Sequence, residues 1–264
     1  MPTPTGKEET TSSGTVARVA LLLRVLAEGR AEASLSDIAQ RMRLPASTTH
    51  RLLNLLHEQG FVDRDPGSHA YRPGLEFLRV AGLVTSRAQL PDVAQGFMQA
   101  VVDACDETCM LSVYMPRIRA AMIAKVIYGG HPLRYEATLY EPTSLVWGAT
   151  GLGILAFLPP DTIDDIVAHD GPSPATSKAV KPAQLRRELE VIRQQGHAHT
   201  RGQKIPGAVG ISAPVFNSSG VVAALCITVP DSRFEEGMES QLARILKAQA
   251  ARFSDALGWR GLPA

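Results

Sequence analysis

Net charge is almost absent from this chain of 264 residues: 27 Lys and Arg stand against 26 Asp and Glu, which leaves +1 at pH 7. The balance holds along the chain, with nine basic and eight acidic side chains in residues 1–74 and 18 of each in the rest. A uniformly basic nucleic-acid binder is therefore excluded. Any field that attracts phosphate must be local, and Arg41, Arg43, Arg51, Arg64 and Arg72 would have to supply it. Long apolar runs are missing too. No stretch reaches the roughly 18 uninterrupted apolar residues of a membrane span, so no membrane partner is expected. The start, MPTPTGKEETTSSG, lacks the apolar core of a signal peptide, and residues 1–13 read as a disordered lead. Three cysteines, an odd number, make no disulfide framework, which points to a reducing, cytoplasmic compartment.

Catalytic signatures are also lacking. There is no G-x-S-x-G, no Walker loop and no H-E-x-x-H. Cys105 and Cys109 are separated by three residues, not the two usual in zinc sites, and have no second pair. His131 and His169 add no ligand spacing. His197 and His199 follow Gln195-Gly196, where surface histidines are the ordinary reading. The chain reads as a non-enzyme with no cofactor and no metal, and it carries no internal repeat.

What is present begins with LSDIAQRMRLPASTTHRLLNLLHEQ, residues 35–59. Ser34 can cap a first helix, with Asp37 three residues on as its capping-box partner. Leu35, Ile38, Ala39 and Met42 then share one helical face. Arg43-Leu44 breaks the run, and Pro45 suits the first turn of a second helix. In that helix Thr49, Leu52, Leu53 and Leu56 share a face, while Ser47, His50, Arg51 and Asn54 lie on or near the opposite one. A preceding helix over Thr15–Glu28 lines Val16, Val19, Leu22, Leu23 and Leu26 along one side to pack beneath. Gly60 fits a left-handed cap. Phe61–Arg64 and Ala70–Arg72 flank the turn Asp65-Pro66-Gly67-Ser68 as a hairpin. Three helices and a hairpin make a winged helix-turn-helix over 14–74.

The run SLSDIAQRMRLPASTTHRLLNLLHEQGFVDRDPGSHAYRPG, residues 34–74, resembles the DNA-binding domain of the IclR family of bacterial transcriptional regulators. Its LP-x-ST-x-HRLL core and E-x-G-F-V-x-R-D wing carry the likeness. The remainder resembles the family's effector-binding domain more loosely. The resemblance implies DNA contacts from Ser47, Thr48, Thr49, His50, Arg51 and Asn54 on the second helix and from Arg64 and Arg72 on the wing. It implies a homodimer, or a dimer of dimers, on double-stranded operator DNA, with recognition helices about 34 Å or a multiple apart.

Beyond Pro73-Gly74, the segment 75–90 opens with a helix, Leu75–Arg87, that is apolar on more than one side. The family uses this position as a linker and dimerisation helix. Residues 91–264 read as α+β: helices over Pro91–Cys105, Gly151–Phe157, Asp161–Ala168, Pro182–Gln195 and Met238–Leu257, and strands over Met110–Met115, Ala120–Ile127, Leu133–Leu139, Gly210–Phe216 and Val221–Thr228. The family's domain is GAF-like, in agreement.

Three elements point to an effector site. Trp147–Ile154 starts a helix with small residues, which suits a carboxylate at free N–H groups or, alternatively, close packing alone. By resemblance Gly151 and Leu152 are effector contacts. The run GAVGISAPV, residues 207–215, contributes Gly210, and the loop before it carries Thr200, Arg201, Gln203 and Lys204 where the family usually has acids. That exchange suits an anionic ligand if Arg201 or Lys204 turns inward, although long basic side chains commonly reach water. Cys226 and Thr228 project to one side of the last strand and form pocket wall by resemblance; a buried thiol and a satisfied hydroxyl are the other reading. Tyr135 and Trp147 offer an aromatic wall for a ring-bearing acid. The function implied is a sequence-specific DNA-binding regulator, repressor or activator, modulated by a small organic acid. The alternative is a GAF-like small-molecule sensor whose winged helix contacts protein.

Overall fold

The computed structural model describes residues 14–29, 32–85 and 89–259. The lead 1–13 and residues 86–88 of the linker lie outside the described residues. The chain divides into two compact units, Met1–Ala88 and Gln89–Ala264.

In the first unit, α1 (Thr15–Ala27), α2 (Leu35–Met42) and α3 (Ala46–Glu58) precede β1 (Val62–Arg64), β2 (Tyr71–Pro73) and α4 (Leu75–Thr85). The capping box forms: the Asp37 N–H donates to Ser34 Oγ at 3.2 Å, and the Ser34 N–H donates back to Asp37 Oδ2 at 3.3 Å. Arg43, left-handed at φ 53, makes the turn. Pro45 is the N-cap of α3, one residue before its first turn, because its ψ of 142 is extended. Gly60, at φ 72, lets the Phe61 N–H reach back to Leu56 O at 2.9 Å and close α3. Leu22, Leu26, Ile38, Met42, Leu52, Leu53, Val62 and Tyr71 form the core. Val16, expected on that side, is 84% exposed, because the first turn of α1 runs past this small core. In the wing, Arg64 pairs with Tyr71 and Asp63 with Arg72. Asp65 Oδ1 accepts the Ser68 N–H and hydroxyl at 2.7 and 2.9 Å and the Gly67 N–H at 3.0 Å, and these bonds, those from Ser68 foremost, hold its carboxyl below the usual range. On α4, Phe77 meets Phe61 at 6.4 Å, whereas Leu75 and Leu78 are 78% and 59% exposed.

The second unit runs α5 (Gln89–Cys105), β3 (Thr108–Met115), β4 (Ala120–Ile127), β5 (Pro142–Thr143), α6 (Ala149–Leu155), α7 (Pro160–His169), α8 (Pro182–Gln195), β6 (Ala198–Arg201), β7 (Ala208–Asn217), β8 (Gly220–Pro230) and α9 (Met238–Ala256). The six strands form one antiparallel sheet in the order β5-β4-β3-β8-β7-β6. Alternation sorts the side chains of β8. Ala224 and Cys226 join the core beneath α6, α7 and α8, while Ala223, Leu225 and Ile227 join the core beneath α5 and α9.

Two elements differ from expectation. Leu133–Leu139 is not a strand. Its groups are taken by side chains and loops: Arg233 Nη1 donates to Leu133 O at 3.1 Å, and Tyr135 Oη donates to Pro206 O at 3.2 Å. The place beside β4 goes to Pro142–Thr143 instead. Thr200 and Arg201, expected in a loop, belong to strand β6, where Thr200 pairs with Gly210. His197 and His199, expected at the surface, are only partly exposed. They are 12% and 28% exposed and both face Glu239, at 3.4 and 2.9 Å, from the side of β6 opposite Thr200.

Candidate functional site

The first candidate surface is α3 with the wing. Ser47, Arg51 and Asn54 are exposed on α3, and Thr48 and His50 are partly so. Thr49 is not on this surface. It is fully buried, its hydroxyl donating to Pro45 O at 3.2 Å, because it shares the Leu52 and Leu53 face. Arg41 is exposed but tied back to the first helix, Nη1 donating to Val25 O at 3.0 Å near the end of α1. Arg64 is exposed, its guanidinium 5.7 Å from the Tyr71 ring centroid, which restrains it without neutralising it. Arg72 stands between Glu32 at 3.9 Å and Asp63 at 4.0 Å, so its field is partly offset. Arg43, exposed at the turn, Arg51 and Arg64 are thus the freer of the expected cations.

The second candidate is a cavity of about 220 Å³ in the second unit. Its floor follows from strand register. Thr200, Gly210 and Thr228 stand side by side across β6, β7 and β8, and Ser212, Cys226 and Met110 form the next row across β7, β8 and β3. The sheet hydroxyls seat the start of α6. Thr200 Oγ1 accepts the Ala149 N–H at 3.0 Å, and Ser212 Oγ donates to Ala149 O at 2.6 Å. Gly210 permits this approach, since a Cβ there would lie 3.1 Å from that of Ala149. The segments 135–141 and 203–205 complete the walls.

Of the expected effector contacts, Tyr135, Thr200, Gly210, Cys226 and Thr228 line this cavity. Trp147, Gly151 and Leu152 do not. The Trp147 indole N–H donates to Gly171 O at 2.9 Å and its ring lines a separate hollow beside α8. Leu152 is fully buried in the core. Gly151 is pressed against backbone, where a Cβ would meet Ser144 O at 2.6 Å and Leu145 Cα at 2.7 Å. Of the two readings offered by the small-residue run, packing is the one that places them. Gly151→Ala is accordingly expected to destabilise the domain by about 1–2 kcal/mol, since overpacking outweighs the helical gain of alanine, as read by urea denaturation.

Sequence reasoning had not assigned the apolar walls, Met110, Ile123, Ala137, Ile205 and Ala208, nor the acids Glu136 and Glu141. No motif marks them, because they converge only through sheet register and two irregular segments. Lys204, of uncertain direction in the sequence, turns inward. Its stem lies against Gly148, and its ammonium approaches Thr150 Oγ1 at 3.4 Å. Burial holds this amine below the usual lysine range, against the opposing influence of the Asp170 carboxylate. Burial also pushes the Cys226 thiol up to about 12, so at neutral pH it is a protonated, apolar piece of wall.

Residues 15–66 match the family model described as IclR helix-turn-helix domain, and residues 82–255 match the one described as bacterial transcriptional regulator IclR C-terminal. The chain is 32% identical to the HTH-type transcriptional regulator Rv1719 of Mycobacterium tuberculosis over 253 residues, covering 93% of this chain and 94% of that one. Among solved structures, an IclR-type regulator from Silicibacter sp. TM1040 superposes with a TM-score of 0.82 at 24% identity, covering 95% and 98% of the two chains. An IclR homologue from Microbacterium hydrocarbonoxydans, complexed with 4-hydroxybenzoate, superposes with a TM-score of 0.78 at 23% identity over 93% and 99%. These two show the fold alone. With both of its units matched by the family's own domain models, the chain belongs to the IclR family of bacterial transcriptional regulators.

Proposed function

We propose that this regulator binds operator DNA as a homodimer in the cytoplasm and that a small organic acid in the β-sheet cavity alters that binding. The observation that carries the ligand is the cavity itself: apolar walls around one inward-turned lysine, with no bound acid of the protein's own within 4 Å of it among the described residues. The protein acts as a ligand-responsive binder and not as an enzyme. Ser47, Thr48, His50, Arg51 and Asn54 face the major groove, and Arg64 and Arg72 lie along the phosphates. The exposed Leu75 and Leu78 of α4 would be covered by a second copy, as an apolar helical face in water favours. The related structure holding 4-hydroxybenzoate makes an aromatic acid the first ligand to try.

The experiment is a gel-shift titration of the full-length protein on its own promoter and on random duplex at modest salt, with and without 4-hydroxybenzoate and a panel of aliphatic acids. Preference for the promoter is expected, with a shift of about 5–150-fold on adding the effective acid. Equal affinity for both duplexes sinks the operator reading, and indifference to every acid sinks the effector.

A further inference from the structure

We propose that Lys204 makes this cavity selective for monocarboxylates: its ammonium pairs with the ligand's single carboxylate inside, while Glu136 and Glu141 turn away ligands bearing a second negative charge. The inference rests on the organic-acid reading of the cavity and narrows it.

Lys204 is the one cation among the described residues that line the cavity. Several of the other polar groups around it are engaged. Thr200 Oγ1 accepts from Ala149, Tyr135 Oη donates to Pro206, and Gln203 Oε1 accepts the Gly148 N–H at 3.2 Å. Lys204 has only the long contact to Thr150, and it makes no ion pair among the described residues. Asp170 acts on it from beyond 4 Å, and that carboxylate is itself held by Ser144 Oγ at 2.7 Å and the Gly171 N–H at 2.8 Å. A partly desolvated cation without a counter-ion is costly, and an incoming carboxylate relieves the cost. The fold makes room for this lysine in particular. At Gly148 a Cβ would lie 3.1 Å from Lys204 Cβ and 3.3 Å from its Cδ, so the missing side chain is the bed for the lysine stem.

The remaining walls, Met110, Ile123, Ala137, Ile205 and Ala208, offer no second cation and suit an apolar ligand body. Glu136 and Glu141 line the same cavity but are exposed, so their carboxyl groups meet a ligand's outer end. A dianion would satisfy Lys204 with one group and face two carboxylates with the other. That is a repulsive device against one class of ligand.

The test uses full-length protein, titrated by calorimetry with benzoate, 4-hydroxybenzoate and hexanoate, with their amides, and with terephthalate and adipate as dianions. The variants are Lys204→Met, Lys204→Arg and Glu136→Gln with Glu141→Gln. The best-bound monocarboxylate is expected to lose roughly tenfold or more on Lys204→Met and to keep most of its affinity on Lys204→Arg. Lys204→Met should melt no lower than the parent, because it removes an uncompensated charge while keeping the stem. The double glutamate variant should bind the dianions several-fold more tightly and the monoanions unchanged. Undiminished acid binding by Lys204→Met, or dianions bound by the parent as well as monoanions, overturns the inference and leaves the organic-acid reading intact. Amides bound as well as acids, or no acid bound at all, removes that reading and the inference with it.

Discussion

Arg233→Met is expected to destabilise the C-terminal unit by about 3 kcal/mol, the lower end for breaking a buried ion pair. Glu107, just before β3, is 2% exposed, and Arg233 grips it with two bonds, Nε to Oε1 at 2.8 Å and Nη2 to Oε2 at 2.7 Å. With the arginine gone, the carboxylate is left dry, its next cation candidate being His131 Nε2 at 3.7 Å. A quarter of the Arg233 side chain reaches water, which is why the lower end applies. The same guanidinium donates to Leu133 O, so the variant also loosens the irregular segment that walls the cavity. Ligand affinity should fall with stability. Chemical denaturation of Arg233→Met beside the double variant Glu107→Gln, Arg233→Met checks the cause. The second change should restore much of the loss, since a neutral amide costs less to bury than an unpaired charge. A single-variant loss below about 1 kcal/mol would mean that water already solvates Glu107.

The second large effect is expected at the DNA surface. Arg51 is exposed on α3 in the outward set with Ser47 and Asn54, where a guanidinium can bind the two acceptors of a guanine edge. Arg51→Ala should cost up to about 3 kcal/mol on the operator, near a hundredfold, and little on random duplex, so that sequence preference collapses. Arg64, held over Tyr71 on the wing, is the residue proposed to contact phosphate. Arg64→Ala should weaken binding to both duplexes alike and reduce the salt dependence by about one unit of slope. Fluorescence anisotropy across a salt series on operator and random duplex separates the two. Matching losses on both duplexes for Arg51→Ala would take it off the bases.

The helix-turn-helix was legible because each of its signals is local. Ser34 and Asp37 cap across three residues, Gly60 ends α3, and the leucine spacing of α3 names its buried face. The same spacing already put Thr49 with Leu52 and Leu53; the family motif drew it outward, and packing returned it to the core. Strands β3, β4, β7 and β8 were readable from apolar runs and turn residues. Leu133–Leu139 was not, because what decides it is distant: Arg233 and Pro206 take its polar groups, and Pro142 occupies the sheet edge. The cavity shows the same division. Cys226 and Thr228 were nameable from strand alternation, and Thr200 and Gly210 from the family likeness. The direction of Lys204 depends on the bare backbone of Gly148, 56 positions earlier in the chain, which no local pattern reveals.

The cavity has a floor of paired strands and walls of two irregular segments, 135–141 and 203–205. Floor residues such as Thr200 and Gly210 also seat the start of α6, so exchanging them disturbs the unit's packing, whereas residues of the two irregular segments are more exposed. A lineage carrying this architecture could therefore change the metabolite it senses by rewriting a handful of positions in two loops, inheriting its scaffold and its operator reading unaltered.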